Sequence, residues 1–163
     1  MRVSGSATDT AEHTKGLAMS LAGKLRRAPL RLVTGAYIIN SGITKLSADQ
    51  AGAEGVHGMA SGAYPVVKRV EPKVFNQLLA VGEIAVGAAL LLPIVPAGLA
   101  GLALAGFGAA LVGLYARTPG THDKYYRPSQ EGAGLAKDIF LVGIGAGLVV
   151  DAALAESPIT NTD

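Results

Sequence analysis

The sequence predicts an all-α integral membrane protein that folds as an antiparallel four-helix bundle. Half of its 163 residues are hydrophobic and only 16% are charged, whereas typical soluble domains have about 25% charged residues. Four apolar segments of about 17–20 residues occur along the chain, and a helix needs about 20 residues to cross a hydrocarbon layer roughly 30 Å thick. Barrel strands would be only about 10 residues long with alternating polarity, so the segment lengths favour helices.

The four apolar segments set the expected domain boundaries. The segments are 30–46, 74–93, 97–116 and 135–154. We expect a four-transmembrane-helix domain over residues 29–155, preceded by a polar or amphipathic segment at 1–28 and followed by a tail at 156–163. The first segment is the shortest of the four, while the third contains no charged residue.

The flanking and connecting segments have their own patterns. Leu17, Leu21 and Leu25 recur every four residues among basic side chains, which is typical of an amphipathic helix on a membrane surface; an unstructured tail is the alternative. The connector before the second segment predicts a short interfacial helix broken at Pro65, because proline disfavours helical geometry in the residue before it. The sequence PIVP at Pro93–Pro96 predicts a tight hairpin.

Composition and motifs exclude several classes of function. The net charge is +2 and no basic face is interleaved with aromatic residues, so nucleic-acid binding is not expected. The chain has no cysteine, which excludes thiolate nucleophiles and cysteine-ligated iron–sulfur clusters. His13, His57 and His122 lie outside the apolar segments, which argues against bis-histidine haem ligation. We predict no catalytic residue, no metal site and no covalently bound cofactor, and therefore no self-sufficient enzyme.

A carboxylate within an apolar segment is the main functional signal. Glu83 lies in the middle of the second segment, where a charged side chain costs about 2.5–3.5 kcal/mol on insertion scales and is a functional candidate by default. At about 1.5 Å of rise per residue, Glu83 and Tyr37 both lie about 14 Å from the loop side, and Asn40 about 9 Å from it. Helices adjacent in sequence tend to be neighbours in space, so we expect Tyr37 and Asn40 to hydrogen-bond to Glu83.

A polar stripe on the first segment is predicted to face Glu83. The stripe follows helical 3,4,3 spacing and consists of Thr34, Tyr37, Ser41 and Thr44. The resulting candidate intramembrane polar site comprises Glu83, Tyr37, Asn40, Ser41, Thr44 and Lys45. Two interpretations are open at this point. The site either lines a small cavity for a proton, a quinone head group or another ligand, or serves only to join the helices.

Other charged and small residues predict how the helices meet. Lys45 and Asp138 fall at the same loop-side boundary and form a candidate ion pair, while Arg31 and Asp151 are level at the opposite boundary. Small residues permit close approach of helices in lipid. The predicted packing positions are Gly143, Gly147, Gly87, Ala105, Ala109 and Gly113. For the GxxxG pair in the fourth segment we favour packing within the chain over a dimer contact.

Three stretches of the chain carry a family resemblance. They are TGAYIINSGITKLS (Thr34–Ser47), VGEIAVGAALLLP (Val81–Pro93) and AKDIFLVGIGAGLVV (Ala136–Val150). These stretches resemble the first, second and last helices of the DoxX family of small bacterial integral membrane proteins. The resemblance spans roughly residues 30–152 and implies a four-helix membrane protein. Only Lys45, Glu83 and Gly87 match the family pattern as site residues, and the family has no agreed catalytic set.

The resemblance also implies a function at the membrane. Relatives include the membrane subunit of a thiosulfate:quinone oxidoreductase, and others are linked to a membrane oxidoreductase complex with a superoxide dismutase and a sulfurtransferase. We therefore expect a non-catalytic or quinone-facing subunit of a membrane redox or respiratory assembly, in which a quinone or a cofactor of a partner carries the electrons. The alternatives are a small proton-linked carrier or channel and a structural assembly factor.

Charge placement gives an expected orientation in a bacterial plasma membrane. Four spans put both termini on one side, which has six Lys and Arg residues against eight on the loop side, so the overall count does not decide. The first segment has more basic residues before it than after it, and the first helix usually dominates. We therefore expect both termini in the cytoplasm, and as partners the lipid bilayer and other membrane or membrane-associated subunits.

Overall fold

The regular structure of the chain is helical throughout. A computed structural model describes residues 5–156, with side chains at Thr14 and at residues 21–155. The elements are α1 Gly5–Leu46, α2 Gln50–Ala63, a 3-10 turn Pro65–Arg69, α3 Pro72–Leu91, α4 Ala97–Arg117, α5 Ala133–Ala136 and α6 Ile139–Glu156. No β-strand occurs within residues 5–156. The predicted all-α class is therefore confirmed.

Three helical stretches are long and apolar enough to cross a membrane. They are Pro72–Leu91, Ala97–Arg117 and Ala133–Ala155. Their lengths of 20, 21 and 23 residues match the roughly 20 residues that a span requires. They correspond to the second, third and fourth predicted segments, and they indicate a membrane protein in a lipid bilayer environment.

Helix α1 is longer than the sequence predicts. It runs unbroken for 42 residues and contains Pro29, so the amphipathic stretch around Leu21 and Leu25 continues directly into the first apolar segment. A proline inside a helix removes one backbone N–H and crowds the preceding turn. Here Arg27 before the proline and Arg31 after it both bond to other helices, which holds the two sides in line. The side chain of Leu17, the first leucine of this pattern, lies outside the described residues. So does the predicted tail from residue 157 onward.

Caps and prolines set the ends of the shorter elements. Helix α2 begins after Asp49, whose carboxylate accepts a hydrogen bond of 2.9 Å from Gly52 N, and it ends just before Pro65, as predicted. Helix α3 begins after Glu71, whose side chain accepts two backbone N–H groups of the first turn. A carboxylate at this position satisfies otherwise unpaired donors and complements the helix dipole. The PIVP turn joins α3 to α4, so the predicted hairpin is confirmed.

The helices form two close antiparallel pairs, α1 with α3 and α4 with α6. A Cβ built on Gly87 would lie 2.8 Å from the carbonyl oxygen of Gly35, and one built on Gly145 would lie 2.6 Å from that of Gly101. Backbones approach this closely only where a side chain is missing. The two pairs share one buried cluster, which includes Ile38, Leu90, Leu104 and Leu148.

The GxxxG pair of α6 does not pack as predicted. A Cβ built on Gly143 or on Gly147 would meet nothing within 4 Å among the described residues. The contact with α4 runs instead through Gly145 and Leu148. Residues two apart on a helix lie about 200° apart around its axis, so Gly143 and Gly147 face away from the partner that Gly145 contacts.

Of the other four predicted packing positions, two lie at contacts within the two close helix pairs and two do not. Gly87 lies at the contact of α1 with α3, and Ala105 N would be 2.6 Å from a Cβ on Gly145. Ala109 is exposed. Gly113 faces the hydroxyl of Tyr64, which a Cβ on it would approach to 2.3 Å, rather than a spanning helix. The small-residue ladder predicted for α4 is therefore wrong beyond Ala105, because the observed contact face of α4 runs through Gly101, Leu104 and Gly108.

Candidate functional site

The main polar site is an ion pair between α1 and α3 at the loop end of the bundle, where α1 and α4 end and α3 and α6 begin. Lys45 Nζ lies 2.9 Å from Oε1 and 3.0 Å from Oε2 of Glu83, and it donates to Ser41 Oγ at 2.8 Å. The Glu83 side chain is 5% exposed and that of Lys45 is 23% exposed. The carboxylate within the apolar segment is thus compensated by a cation that reaches it from the end of α1.

A close approach of α1 and α3 brings this pair together. A Cβ built on Gly42 would lie 2.7 Å from the carbonyl oxygen of Ala80 and 3.2 Å from Glu83 Cβ. Gly42 precedes Lys45 by three residues, so both lie on the same face of α1. A side chain at Gly42 would push the helices apart and move the ammonium away from the carboxylate.

Asn76 adds a buried polar group beside the ion pair. Its Nδ2 donates to the backbone carbonyl oxygen of Lys45 at 2.7 Å, which satisfies one of the unpaired carbonyls in the last turn of α1. Asn76 Oδ1 is buried and has no hydrogen-bond partner among the described residues. Buried acceptors are nearly always paired, so an unpaired oxygen here is unusual. Asn76 also lines a small cavity of about 130 Å³.

Asp138 lies near the pair but does not bond to it. It interacts electrostatically with both Glu83 and Lys45, and its residue is half-buried at the start of α6. Lys45 bonds to Glu83 rather than to Asp138, so the predicted Lys45–Asp138 ion pair is wrong. The reason is the tight packing of α1 on α3, which places Lys45 closest to the carboxylate of its own helix pair. We call Ser41, Lys45, Asn76, Glu83 and Asp138 the polar cluster.

Three predicted members of the site lie elsewhere. Tyr37 is 68% exposed, and Asn40 and Thr44 are also exposed. The hydroxyl of Thr44 donates to the carbonyl oxygen of Asn40 at 2.9 Å, within α1 itself. The expectation that these side chains face Glu83 is therefore wrong, whereas Lys45 bonds to Glu83 and Ser41 bonds to Lys45.

The difference comes from the rotation of α1. Its buried face runs through Thr34, Ile38 and Gly42, because the small residues of that face allow contact with α3. Successive helix positions are about 100° apart, so Tyr37 is turned away by about one position from the contact face. The predicted depth was also off by about one turn, because Glu83 lies level with Gly42, whereas Gly35 and Ile39, on either side of Tyr37, face Gly87.

An apolar cavity of about 670 Å³ lies at the same end of the protein as the polar cluster. It is bounded by α2, the 3-10 turn, α3, α4 and α5. Its walls include Met59, Phe75, Leu79, Phe107, Leu111 and Leu135. Leu79 precedes Glu83 by one helical turn, and Leu135 precedes Asp138 by three residues. None of the five residues of the polar cluster lines this cavity, so the two features are related through these neighbours along the chain.

The opposite end, where the α3–α4 turn lies, has its own charged contacts; we call it the hairpin end. Asp151 of α6 bonds to Arg26 and to Arg27 of α1. Arg31 instead donates to the carbonyl oxygens of Ala89, Leu90, Leu92 and Val95 at 2.7–3.1 Å. The expected level pairing of Arg31 with Asp151 is therefore not formed. Arg31 caps the end of α3, where a cation complements the helix dipole.

The sequence did not point to Asn76 as a member of the site or to Arg31 as a cap of α3. Asn76, Ala80 and Glu83 are four and three residues apart, so they lie on one face of α3. The helical period of α3, counted back from Glu83, would therefore have identified Asn76. Arg31 precedes the cap it provides by about 60 positions, and no local pattern points to such a contact.

The described residues contain no group of three or more His, Asp or Glu side chains that could hold a metal ion. Two histidines bond to the backbone instead. His57 Nε2 lies 3.1 Å from the carbonyl oxygen of Val67, and His122 Nδ1 lies 2.8 Å from that of Asp123.

Comparison of the chain with models of protein families, with curated proteins and with solved structures found no match. The functional assignment therefore rests on the chemistry of the polar cluster and of the cavity at the same end of the protein.

Proposed function

We propose that this chain is a DoxX-like subunit of a bacterial membrane redox assembly and that it binds the head group of a quinone at the polar cluster. In this proposal the C-terminal half of α1 is a fourth span, which completes a four-helix bundle with α3, α4 and α6. Both termini lie in the cytoplasm. The hairpin end then carries Arg26, Arg27 and Arg31 on the cytoplasmic side, in agreement with the preference of basic residues for that side.

The observation that carries the proposal is an apolar cavity at the same end of the protein as the polar cluster. A quinone has an apolar tail and a head with carbonyl acceptors. The cavity walls are aliphatic and aromatic, and two of the lining residues, Leu79 and Leu135, lie four positions before Glu83 and three before Asp138. The volume of about 670 Å³ falls within the range of about 300–1,000 Å³ typical of small-molecule sites.

The residues of the cluster suit the head group of such a molecule. Asn76 Oδ1 and the carboxylate of Asp138 are acceptors for the hydroxyl groups of a quinone in its reduced form. Asn76 Oδ1 has no donor among the described residues, and Asp138 has no ion pair there. A bound quinone would supply electron and proton transfer, and partner subunits would exchange electrons with it. The chain itself would bind and orient the head group.

Photolabelling tests this proposal. The purified protein in lipid nanodiscs is labelled with an azido-quinone that carries a decyl chain, and the labelled peptide is identified by mass spectrometry. Gly55 lines the cavity, and a Cβ there meets nothing within 4 Å. Gly55→Leu should fill the cavity, strengthen α2 through its higher helix propensity, and remove most of the label.

Gly58→Leu is the matched control for this experiment. Gly58 lies on the same helix with nothing within 4 Å of its Cβ position, but it does not line the cavity. Labelling in this variant should equal that of the unmodified protein. Equal loss in both variants, or label outside the cavity walls, would contradict the quinone site.

A structural assembly role is the second candidate, and one observation favours it. The three N–H donors of Lys45 are all used, two by Glu83 and one by Ser41, as expected for a pair that only joins helices. Co-purification from native membranes in mild detergent separates the candidates. A retained redox partner together with loss of quinone labelling in Asp138→Asn supports the quinone site. The assembly role is supported if the partner is retained and neither quinone labelling nor the activity of the complex changes in Asp138→Asn or Glu83→Gln.

A further inference from the structure

A basic groove lies at the hairpin end, far from the polar cluster. It has a volume of about 360 Å³. One side is formed by Lys24, Arg27 and Arg31 of α1, which follow the i, i+3, i+7 spacing of a single helix face. The other side is apolar and consists of the end of α3 and the PIVP turn, including Leu90, Leu91, Pro93 and Val95.

The groove has an excess of positive charge. Lys24, Arg27 and Arg31 contribute three cations to its lining, and Asp151 is the carboxylate bonded to Arg27, which leaves a net charge of +2 among these side chains. The carbonyl partners of Arg31 carry no formal charge. Lys24 makes no hydrogen bond or ion pair with the described residues. The groove therefore has an ammonium and uncompensated charge available for an anion.

The position of the groove identifies the source of that anion. Helices α3 and α4 have the length of membrane spans, and the turn that joins them marks one end of both. The groove lies at that turn, so it is level with a membrane surface, where lipid phosphates are found. Its apolar wall, together with Leu32 on α1, suits the glycerol and the first acyl carbons of a lipid rather than a free anion.

We propose that this groove binds an anionic phospholipid. Its phosphate contacts Lys24 and Arg27, and its acyl chain begins against Leu32 and Leu91. Basic pockets between membrane helices on the cytoplasmic side are suited to anionic head groups. A lipid bound here would bridge α1 and the α3–α4 turn and would reinforce the contacts of Arg31.

Native mass spectrometry of the full-length protein in detergent tests the site. Phosphatidylglycerol and phosphatidylcholine are added in turn, and the fraction of protein that retains one lipid is measured. We expect retention of phosphatidylglycerol in preference to phosphatidylcholine. Lys24→Gln should weaken phosphatidylglycerol binding about fivefold, since one surface cation contributes about that factor, and should leave phosphatidylcholine binding unchanged. Lys24 has no partner among the described residues to lose, so this variant should fold normally.

Two matched variants complete the test. Lys68→Gln removes an exposed cation at the other end of the molecule and should not change the lipid preference. Leu32→Gln removes the apolar wall and should weaken lipid retention, whereas Val33→Gln changes a more exposed neighbour outside the groove and should not. Equal retention of the two lipids, equal effects of Lys24→Gln and Lys68→Gln, or full displacement of the lipid by millimolar inorganic phosphate would overturn the proposal. The last outcome would indicate a site for free phosphate.

Discussion

Lys45 and Glu83, which are 38 positions apart in the sequence, form a bidentate ion pair of 2.9 and 3.0 Å between α1 and α3. This pair removes the apparent conflict of a carboxylate within an apolar helix. The acid lies inside the helix contact, and the cation reaches it from the last turn of α1.

The first prediction concerns the ion pair itself. Lys45→Met keeps the length of the side chain but leaves the carboxylate of Glu83 buried without its cation. Removal of one partner of a buried pair typically costs about 3–5 kcal/mol, so the free energy of unfolding should fall by about that amount. A titration with denaturing detergent, followed by circular dichroism, measures it.

A double variant and an exposed pair supply the controls. Lys45→Met combined with Glu83→Met leaves no unpaired charge, and it should recover most of the lost stability because apolar replacements of buried pairs are often neutral. Arg26→Met breaks a pair in which the arginine side chain is 60% exposed, and it should cost at most about 1 kcal/mol. A double variant as unstable as the single one would show that the charges are not coupled.

How much of this site the sequence predicts depends on what each pattern encodes. Hydrophobic length located α3, α4 and α6 within a few residues, and the cost of a charge in lipid correctly singled out Glu83. The polar stripe of the first segment brought Ser41, with Lys45 beside it, to the right region. The predicted rotation of α1 about its axis was wrong. Tyr37 is predicted to lie on the buried face because it is polar, yet most of its surface is exposed. Glycine placement, rather than polarity, sets which face of α1 meets α3.

Contacts between distant segments were the least predictable. The capping of α3 by Arg31 and the choice of Glu83 over Asp138 as the partner of Lys45 depend on how two helix pairs come together. A sequence pattern reports the periodicity within one helix, whereas these contacts arise from the positions of two backbones. The prediction that the GxxxG of α6 packs within the chain failed for the same reason, because a small-residue motif does not specify which neighbour it faces.

The second prediction tests the close approach of α1 and α3. In Gly42→Ala the new methyl would lie 2.7 Å from the carbonyl oxygen of Ala80. That group is backbone and cannot rotate away, so the helices must separate, and overpacking of this kind typically costs about 1–3 kcal/mol. Gly82→Ala is the control, because a Cβ there meets nothing within 4 Å. It should raise stability by roughly 0.5–1 kcal/mol through helix propensity. Thermal unfolding in one detergent compares the two variants, and a more stable Gly42→Ala would refute the contact.

The third prediction concerns the hairpin turn. Arg31→Gln removes the donors to four carbonyl oxygens at the end of α3 and in the turn. The amide of Val95, which bonds to the Leu92 carbonyl oxygen at 3.1 Å, should then exchange with deuterium about tenfold faster, equivalent to about 1.4 kcal/mol. Arg31→Lys should rescue little, because an ammonium lacks the planar fork of a guanidinium. Arg26→Gln is the control and should leave this amide unchanged. Protection in Arg31→Lys equal to that of the unmodified protein would contradict the fork geometry.

The fourth prediction separates the two faces of α6. Gly143→Leu and Gly147→Leu add side chains into open space and increase helix propensity, so the midpoint of thermal unfolding should hold steady or rise. In Gly145→Leu the added Cβ would lie 2.6 Å from Ala105 N, which forces α4 and α6 apart and should cost about 3 kcal/mol or more. The variants serve as controls for one another, because all of them place the same substitution on the same helix. Destabilisation of Gly143→Leu to the level of Gly145→Leu would mean that the GxxxG face packs within the chain after all. Light scattering on the same samples reports whether either outward-facing variant changes the molar mass of the particle, as it must if that face joins two copies of the protein.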